Sequence, residues 1–136
     1  MTHLRLDGVE TYAQLRAIVA DRGGYGVTEM VHLRDLTGKQ RLKRLVCEKI
    51  ADSLYKHGIG HVPADLPRYQ DAEVRLYLRE TLIGGMIDAV LFPDEEGDEV
   101  LIHAAAAEKA AWDARERLRK IKEIVDADGE ARAERG

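Results

Sequence analysis

Residues 27–63 constrain the possible folds of this chain more than any other stretch. They run as a short apolar-periodic segment, a Thr37-Gly38 turn, a longer segment with a basic head, and a Gly58-Ile59-Gly60 exit. Leu42, Leu45, Val46, Ile50 and Leu54 recur at helical spacing and define one apolar stripe. Thr37 followed three residues later by Gln40 fits a capping box, in which a hydroxyl and an amide side chain satisfy each other's free backbone donors. The pattern predicts a helix from Lys39 to His57. Gly58 followed by apolar Ile59 is the expected stop, because a left-handed residue closes the last turn.

The remaining segments are also mostly helical in pattern. Leu4-Arg5-Leu6 reads as a short strand. Glu10 to Arg22 reads as a helix on Tyr12, Leu15, Ile18 and Val19, stopped by Gly23-Gly24. Thr28 is the expected cap of a short helix through Leu36. Val62 to Pro67 is a turn-rich connector. Gly60-His61-Val62 is a candidate first strand of a hairpin, but Pro63 and Pro67 interrupt the place of its partner. Tyr69–Glu80 and Ile83–Leu91 are predicted as a helical pair broken near Thr81. That pair also reads as a second helix-turn-helix over Val74–Val90, although Gly84, Gly85 and Asp88 offer nothing to a phosphate. Packing is therefore the preferred role of the pair. An acidic loop over Phe92–Gly97 precedes a last helix expected from Asp98 to about Ala127.

Short helix, tight turn and basic helix is the order in which a helix-turn-helix presents a recognition helix to DNA. The expected fold is mainly α: a winged-helix or helix-turn-helix-like domain over residues 1–92, an acidic loop and long C-terminal helix over 93–127, and a flexible tail over 128–136. The chain carries 21 Lys and Arg against 25 Asp and Glu, a net charge of −4, but the charge is uneven. Residues 1–92 hold 13 basic and 12 acidic side chains; residues 93–136 hold 8 and 13. Between Lys39 and Gly60 six basic residues meet two acidic ones, so a local positive patch sits in an acidic protein. Cations near the amino end of a helix are unfavourable unless an anion lies opposite. Lys39, Gln40, Arg41, Lys43 and Arg44 are therefore the candidate DNA-binding residues, with phosphate as the anion and Arg and Gln also suited to base edges. The alternative is an ordinary solvated face, with Arg44–Glu48 and Asp35 forming surface pairs.

Gly58-Ile59-Gly60-His61-Val62-Pro63, Leu66-Pro67-Arg68-Tyr69-Gln70, Val74-Arg75-Leu76-Tyr77 and Ile87-Asp88-Ala89-Val90 resemble a poorly characterised set of small actinobacterial and actinophage-type proteins with a helix-turn-helix-like core. The resemblance covers roughly residues 33–93. It implies that these segments form one unit, and it brings no catalytic residue with it.

The C-terminal segment has a different pattern. Val100, Ala104, Ala107, Ala111, Ala114, Leu118, Ile121 and Val125 alternate spacings of four and three, a heptad seam. Leu118, Ile121 and Val125 are its bulky half and the expected interface of a homodimer. The competing reading folds the helix onto its own domain with Trp112 beside the seam.

Signatures of catalysis are scarce. Ser53 and Cys47 are the only serine and cysteine, and the single thiol rules out an intramolecular disulfide. His3, His32, His57, His61 and His103 make no recognised metal spacing, and Gly23-Gly24-Tyr25-Gly26 is neither a P-loop nor a dinucleotide turn. No enzyme activity, cofactor, metal or membrane association is expected. A cytoplasmic location follows from the lone thiol and the absence of a signal-peptide pattern at the amino end. The expected function is DNA binding, in a small transcriptional regulator. The alternative is a protein-binding module, either an adaptor or a phage-type inhibitor of a host protein, with no nucleic-acid partner.

Overall fold

The computed structural model describes residues 3–135, with side chains through residue 129. It is mainly α: five helices and one small antiparallel sheet among the described residues. The order is α1 (Tyr12–Asp21), β1 (Tyr25–Glu29), α2 (Met30–Thr37), α3 (Arg44–Lys56), β2 (Ile59–Val62), β3 (Glu73–Leu78), α4 (Leu82–Leu91) and α5 (Glu95–Arg135). The chain divides into two compact units, residues 1–97 and 98–136. No described helix is long and apolar enough to cross a membrane.

In the first unit, a capping box opens α1. Thr11 Oγ1 accepts from the Gln14 amide at 3.1 Å, and Gln14 Oε1 accepts from the Thr11 amide at 3.2 Å. Gly23 and Gly24, both at positive φ, then turn the chain into β1. Leu4 donates its amide to the Val27 carbonyl, beside an isolated bridge between His3 and Val27, so the expected amino-terminal strand is reduced to one bridge.

Thr28 does not cap α2. It is a buried β1 residue paired with Val74. Glu29 takes the capping position without a side-chain bond, and the first amides of α2 are satisfied from elsewhere: Met30 and Val31 donate to the carbonyls of Ala72 and Gln70, each at 2.9 Å. The β2–β3 connector thus supplies the acceptors that a local side chain usually provides.

The predicted start of the basic helix is also corrected. Gly38, at φ +72°, closes the end of α2, and α3 begins at Arg44 with Lys43 as its cap residue. Thr37 Oγ1 donates back to the Arg34 carbonyl at 2.6 Å and accepts from the Lys39 amide, so no capping box forms with Gln40. A left-handed residue ends a helix rather than starting one, and that decides the boundary. The other end matches the prediction: the His57 and Gly58 amides donate to Leu54 and Tyr55 carbonyls, with Gly58 at φ +70°.

Within residues 69–80, predicted helical, Glu73–Leu78 form β3 instead. Val74, Leu76 and Leu78 alternate toward the core while Glu73 and Arg75 are exposed, which is the period of a strand. Tyr77, on the opposite face, is buried as well, and this run of three buried residues imitates a helical stripe. The second helix-turn-helix over 74–90 is therefore a strand followed by a helix, and the all-helical packing unit preferred for it is not formed. β3 lies between the other two strands in the order β1-β3-β2, pairing Thr28 with Val74 and Ile59 with Leu78. It is the return strand that the prolines were expected to prevent, reached through the long connector 63–72.

Leu15, Val19, Leu33, Ile50, Leu54 and Leu76 are completely buried in the core between the helices and one sheet face. α4 packs on the sheet at Gly84, where an added Cβ would lie 1.8 Å from the Leu78 carbonyl oxygen. Thr81 caps α4 by accepting from the Gly84 amide at 3.0 Å.

Asp94 Oδ1 accepts from the Gly97 amide at 2.6 Å, so α5 starts at Glu95 and the acidic loop is shorter than expected. Acidic residues in its first turns suit the positive end of the helix dipole. In the second unit α5 continues to Arg135 through most of the segment expected as a tail; Gly136 lies outside the described residues. Along α5, Arg119 pairs with Glu123 at 2.6 Å and with Glu116 at 3.0 Å, and Lys109 pairs with Asp113 at 2.7 Å.

Candidate nucleic-acid interface

The five basic-head residues are all exposed, but they do not share a helix. Lys39, Gln40 and Arg41 lie on the α2–α3 turn, Lys43 caps α3, and Arg44 is its first residue. The cluster stands at the amino end of α3, and three of its five residues approach from the preceding turn. Arg34 fixes the turn: its guanidinium donates to the Gln40 carbonyl and to Gln70 Oε1, each at 3.3 Å, and to Asp35 Oδ1 at 3.1 Å. One side chain thereby ties α2, the turn and the β2–β3 connector together.

The connector adds a cation that the sequence reading did not select. Arg68 is exposed and lines two clefts. One, of about 330 Å³, also includes Arg34, Gln40, Arg41, Tyr69, Gln70 and the carboxylate of Asp71. The other, of about 410 Å³, also includes Arg44, Cys47, Glu48 and Asp65. The positive charge of Arg68 acts on the buried Cys47 thiol, whose pKa is raised by burial and drawn partly back by that charge. Arg68 was missed because it is 24 residues from Arg44 in sequence; only the return of the connector across α3 brings the two together.

Carboxylates compensate this surface incompletely. Asp35 is held by Arg34, and Glu48 lies 3.6 Å from Arg44 in an exposed pair. Such exposed pairs are worth about 0–1 kcal/mol. Among the described residues, Lys39, Arg41, Lys43 and Arg68 have no ion-pair partner. Farther along, the exposed face of α3 is mixed, with Glu48, Lys49, Asp52 and Lys56.

A different chemistry occupies the opposite sheet face. A cavity of about 390 Å³ is lined by Tyr55, Gly60, Tyr77, Arg79, Asp88 and Phe92, among others. Asp88 accepts from the Tyr77 hydroxyl at 2.6 Å and from Arg79 Nε at 3.0 Å, and the Arg79 guanidinium stands 4.9 Å over the Tyr55 ring. Burial, then the bond and charge of Asp88, push the Tyr77 pKa well above 10.0. The hydroxyl therefore keeps its proton, and the network locks α4 to β3. Gly60 leaves the room for that ring, since a Cβ there would lie 2.2 Å from it.

The described residues contain no group of three or more His, Cys, Asp or Glu able to hold a metal. His57 and His61 are each bonded to local backbone, to the carbonyls of Ser53 at 2.7 Å and Pro63 at 2.9 Å. In comparisons with known proteins, no family model, no curated protein and no solved structure matches this chain.

Proposed function

We propose that residues 1–97 form a winged-helix domain that binds duplex DNA and serves transcriptional regulation, with α3 as the recognition helix and the β2–β3 connector as the wing. The element order from α1 to β3 and the sheet order β1-β3-β2 support this reading. The observation that carries it is the convergence of unpaired cations from two segments distant in sequence. Lys39, Arg41 and Lys43 come from the turn and the α3 cap, and Arg68 comes from the connector. Phosphate oxygens are the ligands such a surface suits, and the free amides at the start of α3 add donors for the same anions. Arg44 and Gln40 stand beside the groove-facing end of the helix as candidates for base contacts. The carboxylates of Glu48 and Asp52 restrict the favourable contact to the amino-terminal end of α3.

A mobility-shift titration of a mixed-sequence duplex tests the proposal. Replacing Arg41, Lys43 and Arg44 together by Ala should abolish the shift at moderate salt while leaving the fold intact, because all three side chains are exposed. An unchanged shift in the triple variant would overturn the assignment. A native chain that shifts no duplex at low salt would favour the protein-binding reading, which is supported by exposed apolar residues on α3 and α4: Leu45, Leu82 and Val90 are 66%, 74% and 66% exposed.

A further inference from the structure

We propose that α5 pairs with α5 of a second copy of this chain in antiparallel orientation, with Val100 opposite Val125, Ala104 opposite Ile121, Ala107 opposite Leu118, and Ala111 opposite Ala114. The proposal does not rest on the nucleic-acid reading. It starts from a helix whose bulky seam residues lie in water: Leu118, Ile121 and Val125 are 66%, 57% and 61% exposed. They belong to a seam of alternating four- and three-residue spacings, which returns a side chain to the same face at every step.

The seam has two unlike halves. Its first half is small, with Ala104, Ala107, Ala111 and Ala114; its second half is large, with Leu118, Ile121 and Val125. A parallel pair in register stacks alanine on alanine through the first half and leaves little apolar surface to bury there. An antiparallel pair places every large residue of one copy over the small half of the other, apart from the outermost valine layers. Large-over-small layers fill space at constant helix separation.

The charges flanking the seam select the same orientation. In a parallel pair Arg117 of one copy faces Lys122 of the other, and the symmetry repeats that repulsion. In the antiparallel register Glu108 faces Arg115 across the seam, twice. Both side chains already reach along one edge of the helix, where Arg115 Nη2 lies 3.1 Å from Glu108 Oε1. Flanking charges of this kind set orientation in helical pairs.

The test uses the full chain with Cys47→Ala, so that introduced thiols are the only ones. Ala107→Cys and Leu118→Cys variants are purified separately, mixed, and oxidised in a glutathione buffer. The antiparallel register predicts a disulfide between the two variants in the mixture, and little disulfide dimer from either alone. A disulfide dimer from each variant alone would overturn the orientation. Sedimentation equilibrium of the unmodified chain provides a second readout: a dimer is expected, converted to monomer by Leu118→Asp with Ile121→Asp, whose sites lie outside the first unit. A native chain that stays monomeric at its highest soluble concentration would overturn the pairing itself.

Discussion

Ile50 and Ile121 are the same side chain on two helices, and they report opposite modes of stabilisation. Ile50 on α3 is completely buried among the helices and the sheet; Ile121 on α5 is 57% exposed. α3 keeps its shape because tertiary packing encloses one face of it. α5 is supported by local terms: the Asp94 cap, acidic first turns, and ion pairs such as Lys109–Asp113 and Arg119–Glu123. Each such pair contributes a few tenths of a kcal/mol, so many are needed to match one buried isoleucine. The difference teaches that apolar spacing alone does not distinguish a core stripe from an unpartnered one.

Truncating both isoleucines breaks the comparison most sharply. Ile50→Ala should cost about 2–5 kcal/mol in chemical denaturation of the first unit. Ile121→Ala should change that transition by less than about 0.5 kcal/mol. Equal losses would show that the two helices are held in the same way.

Neighbouring glycines on α4 give the next largest contrast. Gly84→Ala drives a methyl group into the Leu78 carbonyl and should destabilise by about 1–3 kcal/mol, the usual range for overpacking. Gly85 has nothing within 4 Å of an added Cβ. Gly85→Ala should therefore stabilise by about 0.5–1 kcal/mol through reduced backbone freedom. Thermal melts of the two variants should move in opposite directions.

Tyr77→Phe removes a buried hydrogen bond and should cost about 1 kcal/mol at neutral pH. Its pH dependence is the sharper observation. The folded-state pKa of Tyr77 is raised, so the folded chain holds this proton when the unfolded chain releases it. That contribution is complete below the ordinary tyrosine value of 10.0 and is lost as pH rises above it. Stability curves of native and Tyr77→Phe chains should accordingly converge above pH 10, and a gap that stays constant would argue against the buried hydroxyl.

Local stop signals were legible in the sequence wherever backbone conformation alone decides them. Gly23-Gly24 and Gly58 each end a helix as read, because positive φ needs no distant partner. The heptad seam likewise placed one long helix. The start of α3 was misplaced by a local bond, Thr37 Oγ1 donating back to the Arg34 carbonyl, whereas the other misreadings came from long-range partners. β3 looked helical because α4 buries Tyr77 on the face that a strand usually leaves to solvent. Thr28 looked like a cap because the acceptors that replace it, at Gln70 and Ala72, arrive from a connector some 40 residues downstream. The site was legible as a basic cluster at the start of α3, but not as a two-segment surface. Arg68 joins it only through the β2–β3 return, which the prolines had argued against.

The proposed interface requires cations from the turn and from the connector to act on one polyanion. Fluorescence anisotropy of a labelled duplex, titrated across a range of salt, measures it most directly. Each phosphate contact contributes about 0.9 to the slope of log affinity against log salt. Arg68→Ala should lower the slope by about 1 and the Arg41, Lys43, Arg44 triple substitution by about 2–3. Slopes indistinguishable from the native chain in both variants would contradict it.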